Sequence, residues 1–185
     1  PIVDMRLLPN DTLLQQFVEL HAHRQGHFDQ HYLASIPYRL EEECRMGHAL
    51  LRYTQTCPNE VLFYSLGTAE GTMARVVSEL SGGKIQSLAC SPNEANYKSF
   101  MAYGDPPGAS FFVGPFHRLT RERLHTEKKL KRFSAGFDVI LEDTTFQMYS
   151  PNRRDQIDFV RQHLKPDGIF LFVEKFRSDN ADDYQ

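Results

Sequence analysis

Gly67 and Gly71 are the residues whose type and spacing first suggest ligand chemistry. They lie in Val61-Leu-Phe-Tyr-Ser-Leu-Gly-Thr-Ala-Glu-Gly-Thr-Met-Ala-Arg75. An apolar run rich in aromatic and β-branched residues ends at the first glycine. Helical spacing of Met73, Val76, Val77 and Leu80 follows the second. A glycine has no Cβ to hold a ligand off the backbone, and a helix opening here aims its free N–H groups above the strand. Gly-x-x-x-Gly is neither the Gly-x-Gly-x-x-Gly of dinucleotide binders nor a P-loop, and a plain tight turn would use the same glycines. A second chemical candidate is Asp143, which with Glu142 ends another apolar run. It could hold an amino group or take a proton, or it could cap a turn through Thr144 and Thr145. His21, His23, His27 and His31 form a third group. The last three share a helical face at a spacing of four, but Gly26 interrupts them, so an exposed polar face is expected and no metal. The stretch Arg118–Arg132 is basic and could meet RNA or DNA phosphates. It lacks interleaved aromatics, which favours a solvated helix face.

The elements that must position these residues alternate along the chain. Residues 1–60 read as a helical extension. One helix follows Asn10-Asp-Thr, with Leu13, Leu14, Phe17, Val18 and His21 on its stripe, and a second runs from near Pro37 to about Tyr53. Strands are expected at Val61–Leu66, Lys84–Cys90, Ser110–Gly114, Gly136–Glu142 and Ile169–Val173. Between them lie helices from Glu70 to Leu80, from Asn93 to about Ala102, from Thr120 to Arg132 and from Pro151 to His163. Strands apolar along their length and separated by helices indicate a parallel sheet covered on both faces. Gly104-Asp-Pro-Pro-Gly108 and Lys165-Pro-Asp-Gly168 read as turns.

At 185 residues and 41% hydrophobic content the chain fits one domain with a substantial core. A net charge of -3 and the lack of any run of eighteen apolar residues argue for a soluble protein with no membrane partner. Cys44, Cys57 and Cys90 are too few and scattered for a disulfide framework, which favours a reducing, cytoplasmic setting. The first residues show no signal-peptide pattern, and the chain does not begin with Met, as expected of a processed product or a piece of something longer.

In order along the chain, Leu66-Gly-Thr-Ala-Glu-Gly71, Ala89-Cys-Ser-Pro92, Phe137-Asp-Val-Ile140 and Leu164-Lys-Pro-Asp-Gly168 resemble the landmarks of class I S-adenosylmethionine (SAM)-dependent methyltransferases. The likeness runs from about Phe28 to Phe176. Within that class, Thr145-Phe-Gln-Met-Tyr-Ser-Pro-Asn-Arg153, Glu174-Lys-Phe176, Phe28-Asp29 and Ser35-Ile-Pro-Tyr38 resemble the carboxy-SAM synthases of tRNA wobble-uridine modification. The resemblance implies an α/β, Rossmann-like fold. Residues 1–60 would form an N-terminal helical lid, 61–176 the SAM-binding core and 177–185 a polar tail. It implies SAM, or a derivative such as carboxy-SAM, held at the first turn by Ser65, Gly67, Thr68, Ala69, Glu70 and Gly71. Cys90 and Ser91 would serve at the second, Gly114, Pro115 and Phe116 at the third, and Asp143 and Thr144 at the fourth, with Tyr38 closing from the lid. Phe116 is expected to face the adenine.

Three departures bear on mechanism. Ala89 stands where the family has an acidic residue that binds both ribose hydroxyls, Ser65 replaces an acidic residue before Leu-Gly, and Pro115 replaces the acidic residue near the adenine. Each lost charge-assisted hydrogen bond could cost roughly 1.5–3 kcal/mol, with Glu70, Ser91 and Asn93 available to take over part of the work. The expected function is methyl transfer from SAM to an unidentified small-molecule or nucleic-acid acceptor, with Asp143 as the catalytic candidate. The alternatives are a carboxy-SAM-type enzyme and a fold that has lost turnover and serves as a binding or assembly module. The family's sheet has two further strands beside the fifth, and nothing after Phe176 supplies them. The Ile169–Val173 edge is therefore expected to be covered by a second copy or a segment of a parent protein.

Overall fold

The computed structural model describes residues 1–104 and 107–174. Asp105 and Pro106 of the expected turn, Lys175 and Phe176 at the end of the core, and the 177–185 tail lie outside the described residues. Five parallel strands, β1 (Val61–Leu66), β2 (Ile85–Ser91), β3 (Ala109–Val113), β4 (Phe137–Asp143) and β5 (Leu164–Val173), form one sheet in the order β3-β2-β1-β4-β5. The chain builds outward from β1 to β3, then returns to the other side of β1 for β4. Strand order therefore reverses between β1 and β4, and that crevice is where such sheets accept ligands.

The helices are α1 (Thr12–Arg24), α2 (His27–Ser35), α3 (Arg39–Thr56), α4 (Thr72–Leu80), α5 (Glu94–Met101), α6 (Arg121–Thr126) and α7 (Arg153–His163). Every residue of β1 and β2 is buried, as a strand covered on both faces requires. Val61 and Phe63 join Leu14, Phe17, Leu50, Met73 and Val76 in one cluster beneath α1, α3 and α4. Leu62, Tyr64 and Leu66 point the other way, into a second cluster with Leu124, Phe133 and Val160. Among the described residues no helix is long and apolar enough to cross a membrane.

Three expectations need correction. The histidine-bearing segment is two helices, because the chain breaks at Gln25-Gly26. Gly26 packs there against the Glu70 carboxylate, 2.2 Å from where a Cβ would lie. The basic segment is α-helical only over α6. It bends after Thr126 so that Leu124, Leu130 and Phe133, whose spacing fits no single helical face, can all be buried. The last strand starts at Leu164, five residues earlier than expected. Leu164 pairs with Phe137 and Ile169 with Val139, so Lys165-Pro-Asp-Gly168 loops out as a bulge, with Asp167 at φ 65°. β5 is the last strand of the order, and its Phe172 is 53% exposed.

Candidate functional site

A cavity of about 690 Å³ opens at the carboxyl ends of β1, β2 and β4, at the point where strand order reverses. Its floor is the turn after β1. Gly67 takes φ 65° and Gly71 φ 72°, left-handed conformations that suit glycine. The Gly67 N–H donates to the Cys90 sulfur at 3.1 Å, and Thr145 Oγ1 donates to the Gly67 carbonyl at 3.0 Å. A Cβ on Gly67 would sit 2.0 Å from Thr145 Cγ2, so this glycine is required by packing as well as by conformation.

Of the residues singled out from the sequence, Ser65, Gly67, Thr68 and Ala69 line the cavity from β1 and its turn. Ser91 lines it from β2, and Asp143 and Thr144 from β4. The others lie elsewhere. Glu70 is buried and faces away from the cavity. It accepts the Asp29 backbone N–H at 3.0 Å and the Ser99 hydroxyl at 2.5 Å, so it clasps the glycine turn to the first turn of α2 and to α5. Gly71 makes the turn into α4, close against Ala89 and Phe100. Burial pushes the Cys90 thiol up to about 11, and its sulfur accepts from Tyr64 and Gly67. It braces the turn as a neutral group. Gly114 donates its N–H to the Ser91 carbonyl at 2.8 Å, and Pro115 leads into a 3-10 turn. Neither they nor Phe116 line the cavity. Phe116 is buried among Phe146, Tyr149 and Phe159, so the aromatic face expected for an adenine is packed into the core. Tyr38 is 68% exposed at φ 63°, where it opens α3.

The N-terminal wall of the cavity comes from α2 instead, through Phe28, Asp29, His31, Tyr32, Leu33 and Ser35, with Glu43 from α3. Tyr32 and Thr144 share a hydroxyl–hydroxyl hydrogen bond of 2.7 Å, which ties α2 to the turn after β4. Asp143 is ion-paired with the buried Arg39 of α3, which also reaches Glu42 at 3.2 Å and Glu43 at 3.9 Å. Sequence reading missed Arg39 because its charge becomes relevant only where α3 crosses the end of β4. Behind Asp143, the fully buried Glu142 accepts the backbone N–H groups of Thr145 at 2.6 Å and Phe146 at 3.0 Å. Burial pushes Glu142 up to about 7. Those amide hydrogen bonds oppose the shift, and the neighbouring Glu174 carboxyl adds to it. Asp29 is pushed up to about 6, chiefly by burial, and accepts a hydrogen bond from Thr72.

The wall at the end of β2 is polar and neutral. Asn96 Nδ2 donates to Ser91 Oγ at 2.8 Å, and Asn93 N donates to the same oxygen at 3.2 Å. Asn96 is 8% exposed, yet its Oδ1 has no partner among the described residues. Ala89 itself is fully buried and does not line the cavity.

His21 is buried, stacked on Phe17, hydrogen-bonded to Gln25 and 3.5 Å from Glu43, whereas His23, His27 and His31 are exposed. Among the described residues no group of three or more His, Cys, Asp or Glu is placed to hold a metal ion. No residue of Arg118–Arg132 lines the cavity. Arg123 pairs with Glu127 and lies over Phe112, and Arg132 reaches Glu60 at 3.7 Å.

No protein-family model matches the chain, and no curated protein matches it in sequence. Solved structures do match. A SAM-dependent methyltransferase from Agrobacterium tumefaciens aligns with a TM-score of 0.57 and 13% identity over 74% of this chain and 46% of its own. A methyltransferase from Geobacter sulfurreducens aligns with a TM-score of 0.53 and 14% identity over 94% of this chain and 82% of its own. The chain thus spans less than half the length of the first. These likenesses, together with the strand order and the position of the cavity, establish a Rossmann-like fold of the class I methyltransferase type.

Proposed function

We propose that the chain binds SAM in the cavity above the Gly67–Ala69 turn and transfers its methyl group to a small acceptor. The observation that carries this reading is the cavity itself. It lies at the reversal point of a class I methyltransferase-type sheet, has a size suited to a small-molecule ligand, and has the glycine turn as its floor. When bound, SAM supplies a methyl group on a cationic sulfonium. The residues present fit such a ligand. Asp29, Glu43 and Asp143 put carboxylates on the wall, and no lysine or arginine is among the lining residues.

The work assigned to the protein is binding, alignment and exclusion of water. Asp143, held by Arg39, orients the amino group of the ligand. An ion-paired carboxylate suits that role better than the role of a lone base. α2 forms the cover over the site, so the lid function belongs to Phe28, Tyr32 and Ser35 and not to Tyr38. A second reading, a binding module without turnover, draws on Ala89, which leaves the end of β2 without a carboxylate.

Calorimetry with S-adenosylhomocysteine tests the proposal. Saturable binding is expected in the wild type, with at least a tenfold loss in Ala69→Phe, which fills the cavity from its floor. Ala69→Phe is preferred to a Gly67 variant because any side chain at Gly67 collides with Thr145 whether or not a ligand is present. Equal affinity in a correctly folded Ala69→Phe protein would place the ligand elsewhere. Product formation from labelled SAM in the presence of acceptor mixtures separates turnover from binding alone.

A further inference from the structure

We propose that Glu43 receives the methyl acceptor, and that this acceptor is an amine. The amine enters as its ammonium ion and gives its proton to Glu43 before methyl transfer. The inference rests on the reading that SAM occupies the cavity. Three carboxylates stand on the cavity wall, and two of them are engaged. Asp143 is ion-paired with Arg39, and Asp29 accepts the Thr72 hydroxyl. Glu43 differs from both. Its side chain is only 12% exposed, yet among the described residues no hydrogen-bond donor is placed on its carboxylate. Its charged neighbours stop short, Arg39 Nη2 at 3.9 Å and His21 Nε2 at 3.5 Å. Unlike Glu142 Oε2 and both oxygens of Glu174, the Glu43 oxygens are not sealed off, so this carboxylate stays open to the cavity that it lines.

His21 is aimed at the same carboxylate from outside the cavity. It is buried, and Gln25 Nε2 donates to its Nδ1 at 2.8 Å, so the ring proton of the neutral form lies on Nε2. That N–H has no hydrogen-bond partner, and Glu43 Oε1 is the acceptor in front of it. His21 is therefore a positioning residue that leaves the other oxygen of Glu43 for the acceptor. The charged and titratable groups around Glu43 are His21 from α1, Asp29 from α2, Arg39 from α3 and, across Arg39, Asp143 from β4. Asp29 is pushed up first by burial and further by the charges of Glu43 and Glu70. A cation bound beside Asp29 and Glu43 relieves that repulsion. In the step itself, an N–H bond of the ammonium breaks and an O–H bond forms on Glu43. The freed nitrogen lone pair then takes the methyl group, and the carbon–sulfur electron pair stays on sulfur. The positive charge passes to the methylated amine, and Glu43 releases its proton to solvent.

The test offers methyl-labelled SAM with three separate pools: primary and secondary amines, neutral alcohols and phenols, and carboxylates. Label is expected in the amine pool alone. Label in either of the others, or in none while S-adenosylhomocysteine binds, overturns the amine site and leaves cofactor binding standing. If S-adenosylhomocysteine does not bind the wild type, the proposed function itself fails. Glu43→Gln is expected to lower kcat with the labelled amine about a hundredfold at pH 7, with the melting temperature and the affinity for S-adenosylhomocysteine kept. The variant depends on solvent to deprotonate the amine, so its rate should rise about tenfold per pH unit below the pKa of the amine, more steeply than the wild type. An unchanged kcat, or a loss that does not respond to pH, overturns the proton-accepting role. A variant that binds SAM more weakly but S-adenosylhomocysteine equally well would assign Glu43 to the sulfonium and overturn it too. Nitrogen-15 NMR of His21 is expected to show the proton on Nε2, and a proton on Nδ1 would remove its positioning role.

Discussion

The turns after β1 and β4 form adjoining parts of one cavity and are held by opposite means. The β1 turn is shaped by its own backbone, since Gly67 and Gly71 take left-handed conformations that other residues adopt at a cost. Its bracing is close-packed and uncharged around Gly67, from Cys90 and Thr145. The β4 turn has no glycine. Thr144 sits at φ 50°, held by Tyr32 of α2 and by the Val173 carbonyl, while Arg39 of α3 pairs with Asp143 and the buried Glu142 receives two backbone N–H groups. A turn built from local permissiveness should tolerate loss of distant elements. A turn built from imported charges and hydroxyls should not.

Arg39→Ala should give the largest effect. It leaves Asp143 without its buried counter-charge and is expected to destabilise the protein by about 4 kcal/mol in urea unfolding. Adding Asp143→Asn should recover part of that loss. A loss below 1 kcal/mol would show that the β4 turn does not depend on α3.

The next effect is a pH dependence. The folded-state value of Glu142 is about 7 against an ordinary 4.5, so the native state keeps a proton that the unfolded chain releases. Its contribution is full below pH 4.5 and is lost as pH rises to about 7. The total is on the order of 3 kcal/mol, with Glu174 and Arg153 as the charged neighbours. Glu142→Gln, neutral at every pH, should flatten the stability profile between pH 4.5 and 7. An unchanged slope would mean that another group titrates there.

Gly67→Ala tests the first turn. Backbone strain and the collision with Thr145 together should cost about 2 kcal/mol, read from thermal unfolding, with no dependence on pH. A pH-dependent loss would remove the distinction between the two turns. Tyr32→Phe should have the smallest effect, about 1 kcal/mol, because it deletes only the hydroxyl bonded to Thr144. It should raise amide exchange in α2 and at Thr144 together, as expected of a single tie between them. Exchange unchanged in both places would show that α2 is held by its apolar contacts alone.

Strand positions, most helix positions, the glycine turn and the parallel α/β architecture were legible in the sequence. They rest on local rules: apolar runs, 3.6-residue periodicity, capping residues such as those of Asn10-Asp-Thr and Asn93, and glycine at left-handed positions. The family resemblance pointed to Ser65, Thr68, Ala69, Ser91, Asp143 and Thr144, and these residues line one cavity because the carboxyl ends of adjacent parallel strands converge there. Tertiary structure decided the rest. Burial of Phe116 and Cys90 turns on which side of the sheet each faces once α7 and the aromatic cluster close over them. Glu70 became a clasp, not a ligand contact, only because Gly26 and Ser99 arrive beside it. Arg39 and Asn96 carried no signal of their own. A guanidinium on a helix and an amide in a first turn are ordinary surface residues until packing removes water from them. Then each must find a partner across the fold or keep an unmet hydrogen-bonding position.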